Sequence, residues 1–138
     1  METYVNQLSE DALPILEVIE DGVFIFRLDT LRFCFVNRGA ARQTGYSLEE
    51  LLSMTPLNLK REFTEDSFRV MLAPLIDGTV RTLRLVTTHH TKNNEEIAVE
   101  VILQLLAPVQ TQARVVVIAR DITERKRAGG LSDLPGAG

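Results

Sequence analysis

Between Glu95 and Leu106 an apolar residue falls at every second position: Ile97, Val99, Val101, Leu103 and Leu105. The intervening Ala98, Glu100, Ile102, Gln104 and Leu106 start polar and become apolar toward the end. This period of two predicts a strand with one wholly buried face. Its other face also needs cover at the far end. A chain carrying this strand has to build a sheet that is covered fully on one side and partly on the other.

Four further stretches supply partners. Val80–Lys92 precedes this strand across Asn93-Asn94, residues that tolerate positive φ and suit a tight hairpin. Arg114–Ile122 follows it after a loop over Pro108–Gln112. Near the other end, Val23–Leu28 and Arg32–Val36 are strand-like in composition, and Asp29-Thr30-Leu31 can connect them as a hairpin. Neither set hides its apolar face alone, so all five are expected in one antiparallel sheet.

The helix signals lie between the two sets. Asn37 is a good N-cap for Arg38–Thr44, and Gly45 supplies a left-handed stop. Ser47 and Glu50 form a capping box, with Tyr46 and Leu51 at the positions of a hydrophobic staple, and Pro56 is read as ending that helix. Thr64 can cap a third helix in which Phe68, Met71, Leu72, Leu75 and Ile76 share a face. Pro74 predicts a kink or early end there, with Asp77-Gly78 as the final stop. Upstream, Ala12, Ile15, Leu16 and Ile19 mark a short amphipathic helix that Asp11 can cap and Asp21-Gly22 stops. The order α-ββ-ααα-βββ is an α+β arrangement: a five-stranded antiparallel sheet with helices packed on one face.

The domain is expected over residues 10–123. Residues 1–9 are polar and read as a flexible start. Residues 124–138 read as the beginning of a linker helix and a disordered tail. A net charge of −4 argues against direct nucleic-acid binding, and Arg125-Lys126-Arg127, the only compact basic run, reads as a solvated helix face. The N-terminus has no signal-peptide pattern and no apolar run approaches the roughly 20 residues of a membrane span. The expectation is a cytoplasmic chain without membrane contact of its own. The lone Cys34 fits a reducing compartment.

Four segments, taken together and in order, resemble the PAS domain family over roughly residues 10–127. They are Ile19-Glu-Asp-Gly-Val-Phe-Ile-Phe26, Phe35-Val-Asn-Arg-Gly-Ala-Ala41, Thr44-Gly-Tyr-Ser-Leu-Glu-Glu-Leu51 and Asp121-Ile-Thr123. The resemblance implies a sensory, ligand-binding or dimerisation module. Its downstream partner in a parent protein would be a histidine kinase, diguanylate cyclase, phosphodiesterase or transcription factor. It further implies a pocket between sheet and helices, whose candidate lining is Phe26, Phe35, Met54, Phe68, Met71, Leu72, Leu85, Val99 and Val101. The alternative is that these residues pack on one another as a filled core in a homodimerisation module.

Light-sensing relatives form a flavin adduct through a cysteine at a helix start. Cys34 instead lies in a strand and reads as a small packed hydrophobe, which disfavours covalent flavin. Haem-binding relatives present a histidine from the long helix, but Thr64–Ile76 has none, which disfavours His-ligated haem. His89 and His90 read as solvent-exposed turn residues pointing to opposite faces. No Cys or His spacing suggests a metal, and no nucleophile–base–orienter set is assignable, so a non-enzyme is expected. The cofactor, if any, is left open.

Two associations remain. Ile102, Leu106, Val116 and Ile118 form an apolar outer sheet face, which predicts a homodimer through that face and residues 8–20. Asp121 can accept backbone N–H bonds at the start of the linker, with Thr123 as an alternative cap. These two are assigned as the hinge through which a sheet change would reach that linker.

Overall fold

The computed structural model describes residues 20–106 and 113–124. Five strands form one antiparallel sheet: β1 (Gly22–Arg27), β2 (Phe33–Val36), β3 (Thr82–His90), β4 (Glu96–Leu106) and β5 (Arg114–Asp121), in the order β2-β1-β5-β4-β3. The first hairpin and the last three strands meet where β1 pairs β5, Phe24 opposite Val117 and Phe26 opposite Val115. The expected single sheet is therefore present.

Four helical segments fill the stretch between β2 and β3, not three. They are α1 (Arg38–Thr44), α2 (Leu48–Leu51), α3 (Pro56–Leu59) and α4 (Glu65–Ile76). Asn37 caps α1 by accepting from the Ala40 N–H, and Gly45 ends it at φ 80°. Ser47 and Glu50 form the reciprocal capping box on α2. Pro56 does not end that helix. It opens α3, where its missing N–H costs nothing, with Thr55 as N-cap. Pro74 likewise does not break α4. The helix runs on to Ile76, because Pro74 sits in its last turn, and its own carbonyl accepts from the Val80 N–H.

The core lies between α4 and one sheet face. Phe68, Leu72 and Leu75 of α4 are buried against Phe24, Phe26, Val99, Val101, Leu103, Val115 and Val117. Phe26 and Phe68 have ring centroids 5.8 Å apart, and Phe24 and Phe33 5.2 Å. Such aromatic pairs add to stability beyond their buried area. Ile76, read as part of this stripe, is 41% exposed at the helix end. Arg69 holds α4 to the β1–β2 connection by donating to the Leu28 and Asp29 carbonyls.

Three placements correct the sequence reading. The β1–β2 register slips between Ile25 and Phe26, which makes Cys34 the extra residue of a bulge. Phe33 and Val36 then both face the core, while Cys34 is exposed instead of packed. The same slip leaves Phe35 half-buried and outside the core cluster. His89 is not a solvent-exposed turn residue: it ends the inward row Leu83, Leu85, Thr87 of β3 and is only 2% exposed. His90 beside it is half-buried.

The expected helix over residues 12–19, the 108–112 loop and the linker beyond Glu124 lie outside the described residues, as does most of the proposed 8–20 dimer contact. Among the described residues, no helix is long and apolar enough to cross a membrane, and no cluster of His, Cys, Asp or Glu is arranged to hold a metal ion.

Candidate functional site

A small cavity opens inside the core beneath α3. Phe24, Phe26 and Phe33 line it from β1 and β2, Phe68 from α4, and Leu103 and Val117 from the sheet floor. Pro56, Leu59 and Lys60 close it from α3, and His89 from β3. Its free volume is about 10 Å³, room for roughly one water molecule.

Two polar side chains enter this apolar surround. Lys60 is the C-cap of α3 and is 3% exposed; its Nζ lies 3.0 Å from His89 Nε2. Burial pushes the Lys60 ammonium down to about 8, partly opposed by the nearby Glu62 carboxylate. Burial pushes His89 well below its ordinary value, with Lys60 and then His90 adding repulsion. His89 is therefore neutral at neutral pH. With a charged Lys60 donating to Nε2, the ring proton sits on Nδ1. Nδ1 is buried and has no hydrogen-bond partner among the described residues. The Phe24 ring stands edge-on to the imidazole at 6.0 Å.

The sequence-derived pocket residues divide three ways. Phe26 and Phe68 line the cavity. Leu72, Val99 and Val101 are buried in the surrounding core, with Met54, Met71 and Leu85 packed at its edge. Phe35 belongs to neither group, for the bulge reason above. Lys60 and His89, the polar part of the wall among the described residues, were missed. The signal for His89 was its shared parity with Leu83 and Leu85, since two adjacent strand histidines cannot both face solvent when one face is core; Lys60 carried no such signal.

From this corner the sheet leads to the end of the domain. His89 pairs with Ile97, and the next residue of β4, Ala98, donates its N–H to Thr123 Oγ1 at 2.9 Å. The Asp121 carboxylate accepts the Thr123 N–H at 2.9 Å, as expected of a cap.

This antiparallel platform, with one helix-covered face and a cavity under that cover, has known counterparts. A family model described as the PAS fold matches residues 16–127, and the chain belongs to that family. No curated protein matches the chain. Among solved structures, a domain of a sensory box sensor histidine kinase/response regulator from Geobacter sulfurreducens is 25% identical. It has a TM-score of 0.69, over 85% of this chain and 96% of that one. The PAS domain of an HTR-like protein from Haloarcula marismortui is 20% identical, with a TM-score of 0.70 over 88% and 97%. The PAS domain of nitrogen regulation protein NR(II) from Vibrio parahaemolyticus is 18% identical, with a TM-score of 0.65 over 81% and 98%.

Proposed function

We propose that this PAS domain is a non-catalytic sensory module. A small ligand or partner acts at the Lys60–His89 corner, and the change passes along β3 and β4 to Thr123 and the segment after it. That segment would lead to an output domain in a parent protein, as in the sensor kinases whose domains it resembles. The observation that carries this reading is the buried Lys60–His89 pair, set in an apolar cavity one strand pair away from the Ala98–Thr123 bond. Two buried polar groups in a core need a reason, since apolar residues would fill the space at no desolvation cost. Asp121 and Thr123 are the proposed hinge. Asp121→Ala should leave the fold largely intact and uncouple input from output in the parent.

One observation favours a second reading. The cavity holds about 10 Å³, and Ile102, Val116 and Ile118 are half-buried on the far sheet face, in rows with the buried Val23 and Ile25. These fit a homodimerisation module with a filled core. Native mass spectrometry of the protein purified from its own host separates the two. A bound small-molecule mass supports sensing through the cavity, and a ligand-free dimer mass supports the filled core.

A further inference from the structure

The cavity wall is chemically lopsided. Eight of its ten lining residues are apolar, and the other two, Lys60 and His89, both present donors. The Nζ ammonium has three protons and, among the described residues, one side-chain partner, His89 Nε2. The His89 Nδ1 proton has no partner among the described residues. Among the described residues, no carboxylate lines the cavity. Glu62, the acid that acts on Lys60, is exposed and engaged by the Thr87 hydroxyl at 2.5 Å. The site is therefore a buried cation and an orphaned donor in aromatic and aliphatic surroundings, with its counter-charge missing from inside.

Resting on the sensory reading above, we propose that the cavity takes a small monocarboxylate with an apolar tail. The carboxylate would lie between Lys60 Nζ and the His89 ring, with the tail against Phe24, Phe26 and Phe68. One negative charge matches one ammonium, and two acceptor oxygens match the two donor groups. A neutral carbonyl would satisfy a donor but leave the charge uncompensated. A phosphate dianion would bring more charge and more oxygens than this wall can pair.

Entry requires the wall to move, because the free space holds only about one water. The movable wall is α3, a single helical turn that carries Pro56, Leu59 and Lys60. The Lys60–His89 hydrogen bond is its side-chain-to-side-chain latch onto β3, beside a longer contact of 3.4 Å between His90 Nδ1 and the Leu59 carbonyl. A carboxylate competing for both groups breaks that latch and enlarges the cavity together, so binding and the structural change are one event.

The test is an amide NMR titration of the chain with sodium benzoate and sodium hexanoate, against benzyl alcohol and 1-hexanol. The proposal expects the carboxylates to shift α3 and His89 resonances and to bind about tenfold or more tightly than the matched alcohols. Lys60→Met should remove that preference. Equal binding of acids and alcohols overturns the anion class while the ligand-binding cavity stands. Binding of neither at millimolar concentration overturns both. The acid–alcohol comparison on the unaltered chain decides the matter even if Lys60→Met does not fold.

Discussion

Ala98 and Thr123 are joined across the end of the sheet: the Ala98 N–H donates to Thr123 Oγ1, and the Ile122 N–H donates to the Ala98 carbonyl, both at 2.9 Å. One residue of β4 thus holds both the last residue before the C-terminal helical start and that start itself. Thr123→Val keeps the shape and removes the acceptor. It should cost about 1 kcal/mol, the net worth of one such bond. The Ala98 amide should exchange with solvent faster, while strand β3 amides keep their protection. Hydrogen exchange followed by NMR reads both.

The Lys60 ammonium gives stability a pH signature of definite sign. Its folded value is lowered to about 8 from 10.5. Between those limits the unfolded chain binds the extra proton, so stability rises with pH across that window and the penalty is fully present below it. For His89, lowered below 6.5 by burial, the same sign applies lower down: stability falls as pH drops through 6.5. Urea unfolding of the chain and of Lys60→Met at several pH values isolates the first effect. The stability difference, chain minus variant, should be flat below about pH 8 and grow in favour of the unaltered chain up to 10.5. A flat difference across that window would mean that Lys60 is solvated.

Asn37 is wholly buried, and its Oδ1 accepts two backbone N–H groups, from Val23 at 2.8 Å and Ala40 at 2.9 Å. Its Nδ2 donates to the Asp21 carbonyl at 3.1 Å. One side chain therefore caps α1 and ties it to β1. Asn37→Ala loses the cap and strands the Val23 donor, and should cost about 2–4 kcal/mol. Asn37→Asp keeps both acceptors and should fall between. Denaturant midpoints measure the ranking.

Gly39, two residues on, packs directly on the backbone that Asn37 secures. A Cβ there would overlap the Asp21 carbonyl oxygen and lie 2.7 Å from the Glu20 carbonyl oxygen. Backbone on both sides cannot yield as a flexible side chain would. Gly39→Ala should destabilise by roughly 1–3 kcal/mol despite the better helix propensity of alanine. Thermal unfolding compared with an exposed control in the same helix, Arg42→Ala, separates the clash from propensity.

What the sequence made legible was local. The caps at Asn37, Ser47 and Thr64 and the stop at Gly45 are decided within three or four residues, and each stands where the sequence puts it. Long alternation in β4 and β5 placed Val99, Val101, Val115 and Val117 inside. What stayed hidden needed a partner to be visible. The bulge at Cys34 exists only relative to β1, and it decides that Phe33 rather than Phe35 faces the cavity. The burial of Lys60 depends on a histidine 29 residues away. A lone lysine after Leu57-Asn58-Leu59 looks like any surface lysine until β3 is laid beside it.

If the Lys60–His89 corner and the C-terminal exit at Thr123 respond as one unit, a change at His89 reaches Thr123. Amide NMR of the chain against His89→Asn, with both spectra assigned, measures this. Shifts are expected at Lys60, Ile97 and Ala98 that continue to Ile122 and Thr123. Shifts confined to α3 and Phe24, with Ala98 and Thr123 unmoved, would contradict that coupling.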